Sequence, residues 1–465
     1  MNQVTLRPLP RSSPGAQGVD AAGVLAFLDA VESNGLDMHS LMLVRHGHVV
    51  AEGWWAPYRA DRVHLVYSLS KSFTSTAVGI AEAEGLLSID DPVVSFFPDK
   101  VPAGASSYVT GMKVRHLLAM ASGHAVDTWP VANRGPDVVR SFLSIPPDQE
   151  PGSLFCYNQG CTYTLSAMIT RLTGQRLVDY LRPRLFDPLG IEQAHWRQSE
   201  EGVDQGFSGL HVVTESIAKL GQLHLQNGRW EGEQLVPETY ATDAHRKQVD
   251  NSHQSANPDW QQGYGYQFWV CRHGAYRGDG AFGQFCVVVP AAGAVIACTA
   301  QVVDMQAEID LFWEHLLPAL SGDAPVDRAT EARLADRLGH LSTAVVHATP
   351  CPPRHAVTFA RSGEPPLYMD GLGAASVEPT GDGTRLTLVI DGVGHSFDLR
   401  PGCWSEGELP EIQFSLPTVA VAGGWVGPDE FRADIVSLSS PHRLGLQARA
   451  GEEPTFKADW YAAPL

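Results

Sequence analysis

The spacing of hydrophobic and polar residues predicts both helices and strands over the first 320 residues. Apolar residues recur at the spacing of one helix face in six segments, at 19–33, 70–84, 112–121, 163–172, 215–225 and 305–320. Residues 41–55 alternate polar positions with Val and Leu around Gly47, the pattern of a half-buried hairpin. Further strands are predicted at 263–270, 285–290 and 294–300. Strands near both ends of a helical middle predict an α+β domain.

The pattern changes after Leu320. Residues 321–333, with the sequence SGDAPVDRATEAR, are polar and rich in turn-forming residues, as in a linker. Beyond them, short β-rich segments separated by Gly, Asp and Pro lie at 356–359, 384–390, 395–399, 412–416 and 435–439. The sequence therefore predicts a first domain over 1–320, a linker over 321–340 and an all-β domain over 341–465.

Composition and charge narrow the possible partners. The 465 residues are 44% hydrophobic and 18% charged, which is typical of a globular protein with a sizeable core. The net charge of −19 disfavours nucleic acids and anionic membrane surfaces. Residues 1–18 lack the apolar segment of a secretory signal, and no run reaches the roughly 18 apolar residues of a membrane span. A cytoplasmic protein without nucleic-acid or membrane partners is predicted.

The cysteines agree with a reducing compartment. Their number is odd and their surroundings are mainly apolar and strand-like, so buried free thiols are expected. They are Cys156, Cys161, Cys271, Cys286, Cys298, Cys351 and Cys403.

Ser68 and Lys71 are the first candidate for chemistry. A serine and a lysine three residues apart at the start of a helix lie on one face, so the amine can reach the hydroxyl. Serine needs an adjacent base, and a lysine serves as that base only where burial or a neighbouring cation lowers its pKa. Taken alone, the pattern also fits a capping serine beside a surface lysine.

Five segments in a defined order decide between these interpretations. They read YSLSKS at 67–72, EGLLSIDDPV at 84–93, VRHLLAMASG at 114–123, YNQ at 157–159 and LFDPLGI at 185–191. In this order they resemble the serine β-lactamase-like family, which comprises penicillin-binding proteins, class C β-lactamases and their esterase and amidase relatives. The resemblance covers about residues 20–320. It implies that Ser68 is the nucleophile, since neither Ser70 nor Ser72 has a lysine three residues on.

The resemblance also implies the fold. It predicts an antiparallel sheet flanked by helices, together with a helical subdomain. The C-terminal all-β domain is expected to be similar to the lipocalin-like appendages of some family members.

The second family motif, Tyr or Ser followed at two residues by Asn, corresponds to 157–159. The resemblance implies that Tyr157 moves a proton between Ser68 and the leaving group, provided that the charge of Lys71 lowers the pKa of the phenol. Asn158 stands one place early and Gln159 occupies the usual Asn position. Either amide is therefore a candidate for contacting substrate.

The third family motif, Lys or His followed by Ser/Thr and Gly, is not present in that form. The corresponding turn is 276–284, where a backbone N–H of Gly280 or Ala281 is expected to complete an oxyanion hole with that of Ser68. Arg277 is a candidate for replacing the missing cation, and a solvated surface arginine is the alternative. The missing Lys and Ser/Thr disfavour β-lactam and D-Ala-D-Ala substrates.

These inferences predict a serine hydrolase that cleaves an ester or amide of a small molecule or short peptide through a Ser68 acyl-enzyme, with Lys71 and Tyr157 as acid and base. Two alternatives stay open: an acyl or peptidyl transferase, and a non-catalytic binding protein on the same fold. No cofactor is expected. No metal is expected either, because His46-Gly47-His48 has no third ligand nearby in the sequence.

Overall fold

A computed structural model describes residues 8–320, 322, 326–346, 348–349, 355–381, 383–412 and 415–465. These residues form two compact units. Unit 1 contains the described residues of 1–36, 40–53 and 66–339, and unit 2 contains those of 37–39, 54–65 and 340–465. The three segments of unit 2 differ from the continuous 341–465 domain that the sequence predicts.

The helices lie mostly in unit 1. The α-helices are α1 (Ala21–Ser33), α2 (Ser70–Ala83), α3 (Ser107–Gly111), α4 (Val114–Leu118), α5 (Trp129–Ala132), α6 (Val138–Ser144), α7 (Gln159–Thr173), α8 (Leu177–Leu181), α9 (Asp187–Leu189), α10 (Thr214–Leu225), α11 (Glu238–Ala244), α12 (Met305–Leu311), α13 (Leu317–Leu320) and α14 (Arg328–Gly339). The π-helical turns Arg182–Phe186 and Phe312–Leu316 continue α8 into α9 and α12 into α13. The 3₁₀ turns are Gly15–Gln17, Tyr67–Leu69, Val93–Phe96, Pro258–Trp260, Arg272–Gly274 and Pro290–Ala292.

The strands form one principal sheet in each unit. They are β1 (Asp37–Arg45), β2 (His48–Trp54), β3 (His64–Leu65), β4 (Ala194–Trp196), β5 (Leu210–Val212), β6 (Arg229–Trp230), β7 (Glu233–Gln234), β8 (Trp269–Val270), β9 (Tyr276–Gly280), β10 (Gln284–Val289), β11 (Ala294–Gln301), β12 (Val357–Arg361), β13 (Leu372–Pro379), β14 (Thr384–Ile390), β15 (Val393–Leu399), β16 (Ser405–Glu408), β17 (Thr418–Trp425), β18 (Glu430–Ser437), β19 (Arg443–Arg449) and β20 (Thr455–Trp460).

The principal sheet of unit 1 has the strand order β2-β1-β11-β10-β9-β8. Strands β8 to β11 are antiparallel, with Gln284 opposite Gly280 and Phe285 opposite Cys298. Every residue of β10 and β11 is buried, and α10 packs against both strands. The sheet takes strands from both ends of unit 1, as the α+β prediction requires.

Four local predictions for unit 1 need correction. The helix predicted over 112–121 is limited to α4, and of the strand predicted over 263–270 only β8 forms. The hairpin forms around Gly47 as expected, but β1 is almost wholly buried because it lies inside the sheet.

The fourth correction concerns the predicted linker, where α14 occupies 328–339. This helix packs against α1, with Leu334 buried and Arg337 paired with Glu32. A single buried leucine on a highly charged helix is a weak hydrophobic pattern, so the sequence did not indicate it.

Unit 2 is an all-β structure, as predicted. Its nine-stranded sheet has the order β15-β14-β13-β12-β20-β19-β18-β17-β16, and neighbouring strands are antiparallel except β12 and β20. Burial alternates along β14, the pattern of a strand with one face on a core. Residues 413 and 414 of the strand predicted at 412–416 lie outside the described residues, and Ile412 and Ser415 form an isolated bridge.

Five of the seven cysteines are buried and free, in agreement with the prediction: Cys156, Cys161, Cys271, Cys286 and Cys298. Cys403 is exposed, contrary to it, and Cys351 lies outside the described residues. Among the described helices, none has both the length and the hydrophobicity that crossing a membrane requires.

Candidate active site

Ser68 lies in the 3₁₀ turn that leads into α2. The residue before it, Tyr67, has φ 46°, a left-handed conformation that a bulky side chain rarely adopts. Ser68 is partly exposed, whereas Lys71 in the first turn of α2 is buried. Lys71 Nζ lies 2.9 Å from Ser68 Oγ and donates a hydrogen bond to the Phe207 carbonyl at 2.9 Å. The structure therefore brings together the serine and lysine that the sequence singles out.

The protonation of Lys71 is set by its burial. Nζ lies 4.6 Å from the ring centroid of Tyr157 and 5.7 Å from that of Phe207. Loss of hydration lowers the pKa of Lys71 from its usual value to about 7, although the negative charges of Asp279 and Asp127 act in the opposite direction. Near neutral pH a large fraction of Lys71 is an uncharged amine, which can accept a proton.

Tyr157 completes a three-residue group with Ser68 and Lys71. Its hydroxyl hydrogen-bonds with Ser68, and its ring stacks on Trp269 with centroids 5.4 Å apart. Burial, with the charge of Asp279, raises the pKa of Tyr157 above its ordinary value. The expectation that Lys71 lowers this pKa is wrong, because desolvation dominates and Lys71 carries its charge only part of the time near pH 7. Tyr157 is a phenol, a proton donor, in the resting site.

The two candidate amides have different environments. Asn158 is fully buried at the N-cap of α7, where Oδ1 accepts hydrogen bonds from Gly160 N at 3.0 Å and Thr128 Oγ1 at 2.8 Å. Gln159 is partly exposed, and its Oε1 has no hydrogen-bond partner among the described residues. Asn158 Oδ1 therefore stabilises the start of α7, whereas Gln159 Oε1 is a hydrogen-bond acceptor without a partner among the described residues.

Arg277 lies on β9 and is fully buried, so the solvated-surface alternative is wrong. Its Nε donates to Asp279 Oδ2 at 3.1 Å, and Nη1 donates to the Asp259 carbonyl at 2.7 Å. The guanidinium also lies 4.2 Å from the ring centroid of Trp260. The charge of Arg277 is neutralised within the fold, because a buried cation needs a partner in a medium of low polarity.

The end of β9 lies close to the turn that carries the serine. A Cβ atom on Gly280 would be only 2.1 Å from the Val66 carbonyl oxygen, so no larger residue fits there without a shift. The next residue, Ala281, is partly exposed. Gly280 and Ala281 thus lie at the end of β9 that approaches the segment carrying Ser68, where the sequence predicts an oxyanion hole.

Two acidic residues of the site were not assigned from the sequence. Asp127 Oδ1 accepts the backbone N–H groups of Trp129 at 3.0 Å and Gln159 at 2.9 Å, and burial raises its pKa. Asp279 stands in the predicted turn but had no predicted role. The negative charges of both residues act on Lys71, a relation that depends on the fold and has no local pattern in the sequence. The described residues contain no group of three or more His, Cys, Asp or Glu arranged to bind a metal ion.

Comparisons with known proteins show the family to which this chain belongs. Residues 28–314, more than half of the chain, match the family model described as beta-lactamase. A 6-aminohexanoate-dimer hydrolase of Paenarthrobacter ureafaciens is 26% identical over 287 residues, which are 55% of this chain and 71% of that protein. A lovastatin esterase of Penicillium rubens is 27% identical over 168 residues, 30% of this chain and 41% of the esterase.

One solved structure extends the similarity beyond residues 28–314. The octameric penicillin-binding protein homologue from Pyrococcus abyssi aligns over 93% of this chain and 96% of its own, with a TM-score of 0.51 and 15% identity. At that identity the likeness concerns the fold alone. From the family match, the chain belongs to the beta-lactamase family.

Proposed function

We propose that this chain is a serine hydrolase that cleaves an ester or amide bond of a small molecule or short peptide. The observation that carries the proposal is the 2.9 Å distance between Ser68 Oγ and the buried Nζ of Lys71, whose pKa is about 7. A serine becomes an effective nucleophile when a neutral base lies within hydrogen-bond reach.

Acylation begins when Ser68 Oγ bonds to the substrate carbonyl carbon and its proton passes to Lys71 Nζ. The carbonyl oxygen becomes an oxyanion, which the backbone N–H of Ser68 and that of Ala281 or Gly280 stabilise. The bond to the leaving group then breaks. Tyr157 donates its hydroxyl proton to the departing oxygen or nitrogen and recovers a proton from Lys71. This order suits the raised pKa of Tyr157, because the group starts as a proton donor.

Deacylation uses the same groups in reverse. A water molecule attacks the acyl carbon while Lys71, directly or through Tyr157, accepts its proton. The ester bond to Ser68 breaks, and Oγ recovers a proton. The products are the free acid and a regenerated Ser68–Lys71 pair.

The charges near Lys71 favour uncharged or cationic substrates over carboxylates. Arg277 is neutralised by Asp279, and so offers no free cation to a substrate carboxylate. Asp127 forms no ion pair among the described residues, and its charge acts on Lys71. The names of the two relatives, a hydrolase of a 6-aminohexanoate dimer and an esterase of lovastatin, support a hydrolase without selecting one substrate.

The test is covalent labelling with a fluorophosphonate, read by intact mass, together with hydrolysis of p-nitrophenyl acyl esters. Wild type is expected to gain one adduct that maps to Ser68 and to hydrolyse the esters. Ser68→Ala is expected to lose both activities, and Ser95→Ala, a change at an exposed serine, to retain them. An unlabelled and inert wild type would refute the proposal and favour the non-catalytic alternative.

The same acyl-enzyme would serve an acyl transferase. Adding a primary amine to the ester assay separates the two, since a transferase forms the amide at the expense of the acid.

We further propose that unit 2 is a lipocalin-like appendage, on the basis of its up-and-down antiparallel strand order from β16 to β20 and from β12 to β15. The cytoplasmic location stays a prediction from the sequence.

A further inference from the structure

The turn between β9 and β10 is tied to the sheet by the buried side chain of Gln284. This turn, Ala281–Gly283, contains two consecutive residues with positive φ, Phe282 at 68° and Gly283 at 85°. A left-handed phenylalanine is an unfavourable conformation that persists only where surrounding contacts impose it. The structure must therefore contain groups that impose this conformation.

Gln284, the residue that follows the turn, supplies side-chain hydrogen bonds to it. Phe282 also packs against Tyr67, with ring centroids 5.5 Å apart, and its carbonyl accepts a hydrogen bond from Val302 N at 3.0 Å. Gln284 is fully buried, and its Nε2 lies 3.0 Å from the Ala281 carbonyl oxygen, 3.1 Å from that of Phe282 and 2.7 Å from that of Ala300. A carboxamide has two N–H donors, so one bonds to Ala300 and the other is shared by the two turn carbonyls. Gln284 Oε1 accepts from Ala300 N at 3.3 Å.

The network determines the orientation of the carboxamide. Exchange of its nitrogen and oxygen would place Oε1 against three carbonyl oxygens, none of which can donate a hydrogen bond. The side chain thus ties the carbonyls of the turn to β11, the next strand of the sheet.

A second group fills the space beneath the turn. A Cβ atom on Gly283 would lie 2.1 Å from Glu308 Oε2, so the buried Glu308 carboxyl packs directly on this glycine. Cys298 Sγ donates to Glu308 Oε1 at 3.3 Å. The turn therefore has little room to relax in that direction.

We propose that Gln284 is a positioning residue for the oxyanion hole. The inference rests on the proposed function, in which the backbone N–H of Ala281 or Gly280 binds the oxyanion. The Ala281 carbonyl lies in the peptide plane that follows the Ala281 Cα, and the Ala281 N–H lies in the plane that precedes it. A hydrogen bond on that carbonyl therefore restricts rotation at the residue that carries the donor. An oxyanion hole is effective only when its donors are oriented before the charge develops.

The experiment compares Gln284→Met and Gln284→Glu with a matched control. Methionine keeps the length of the side chain and removes every hydrogen bond. Glutamate keeps an acceptor for Ala300 N and removes the donors. Gln301→Met is the control, because Gln301 is a buried glutamine on β11 whose Oε1 has no hydrogen-bond partner among the described residues.

The readouts are kcat and KM for a p-nitrophenyl ester, the inhibition constant of a trifluoromethyl ketone that forms an oxyanion on the enzyme, and the thermal midpoint. Both Gln284 variants are expected to lower kcat by about 10- to 100-fold with KM changed by less than about threefold, since a misdirected donor loses part of an oxyanion-hole interaction. The inhibition constant is expected to rise by the same factor as kcat/KM falls. Gln301→Met is expected to stay within about threefold of wild type.

Several results would overturn the inference. If folded Gln284 variants keep wild-type kcat, or lose kcat while binding the ketone as wild type does, Gln284 does not position the oxyanion hole. If only the methionine variant loses activity, the bond from Ala300 N matters and the donors to the turn do not. An inert wild type would instead refute the proposed function, so the two failures are distinguishable.

Discussion

At the scale of single residues, burial sets the protonation states of the site. Lys71 loses its hydration, which lowers its pKa to about 7, and the same effect raises the pKa of Tyr157. The two shifts have opposite directions because burial disfavours the charged form of each group, an ammonium in one and a phenolate in the other. A neutral amine beside a neutral phenol is the result.

The first prediction follows from Lys71. In the proposed mechanism the deprotonated amine is the active form, so kcat/KM for ester hydrolysis is expected to be low below pH 7 and to rise to a plateau through a midpoint near pH 7. A pH–rate profile measures this. Lys71→Met should lower the plateau by about 10²- to 10⁴-fold, the range for loss of a general base. A wild-type midpoint near the usual lysine value would contradict the assignment.

A substitution at Asp127 tests whether its negative charge raises the pKa of Lys71. Its negative charge raises the pKa of Lys71, so Asp127→Asn is expected to move the midpoint of the profile to lower pH. Asparagine keeps an oxygen for the N–H groups of Trp129 and Gln159. Asp148→Asn is the matched control at an exposed loop aspartate and should leave the midpoint in place. An upward shift in the Asp127 variant would refute the electrostatic account.

Removal of one hydroxyl tests the role of Tyr157. Tyr157→Phe keeps the stacking on Trp269 and removes the proton donor. A p-nitroanilide has a poorer leaving group than a p-nitrophenyl ester and needs the proton more. The kcat/KM of the anilide is therefore expected to fall by about 10²- to 10⁴-fold, and that of the ester by less. Equal losses on both substrates would indicate a packing role instead.

At the scale of elements, β9 approaches the segment that carries Ser68 because the strand has glycine at the positions where a side chain would collide. The constraint is steric at Gly280, next to Val66, and at Gly278, where a Cβ atom would lie 2.4 Å from Leu69 Cδ1. Glycine normally weakens a strand, but here the absence of a side chain at these two positions is what allows the close approach.

This constraint gives a stability prediction. Gly280→Ala is expected to lower the free energy of unfolding by about 2 kcal/mol, within the range for overpacking, since its Cβ meets a backbone atom. It should also reduce ester hydrolysis. Gly111→Ala makes the same change at the end of α3 with no atom within 4 Å, and should be neutral or stabilising. Urea unfolding of both variants checks this, and equal stabilities would contradict the steric account.

At the scale of the whole molecule, unit 2 is assembled from distant segments. Tyr58 packs with Ala420, Val436 and Leu438, and Leu65 N donates to the Ser439 carbonyl at 2.7 Å. Asp37 pairs with Arg443. Residues 37–39 and 54–65 thus receive part of their contacts from the C-terminal sheet.

Deletion of residues 340–465 is therefore expected to destabilise the part of the chain that remains. It would expose Tyr58 to water and leave Asp37 without its cation. The truncated chain should show a lower thermal midpoint and poorer recovery in the soluble fraction than the full chain, as thermal unfolding and centrifugation would measure. A truncated chain that melts as the full chain does would show that unit 1 folds independently of these contacts.

Local patterns in the sequence determined much of this protein. The 3.6-residue period of α1, α2 and α10, the Gly47 turn and the apolar runs of β10 and β11 depend on near neighbours along the chain. The proximity of Ser68 and Lys71 was predictable for the same reason, because residues three apart at the start of a helix lie on the same face. Tyr157 was found through the order of the family motifs.

Only the tertiary structure decided the features that depend on long-range contacts. Three features of the site depend on contacts between segments that are far apart in the sequence. They are the burial of Arg277, the charges of Asp127 and Asp279 near Lys71, and the hydrogen bonds from Gln284 that tie the turn to β11. The assignment of residues 37–39 and 54–65 to unit 2 also depends on long-range contacts. A sequence pattern reports local spacing, whereas pKa shifts, neutralised charges and unit boundaries arise from packing between distant segments.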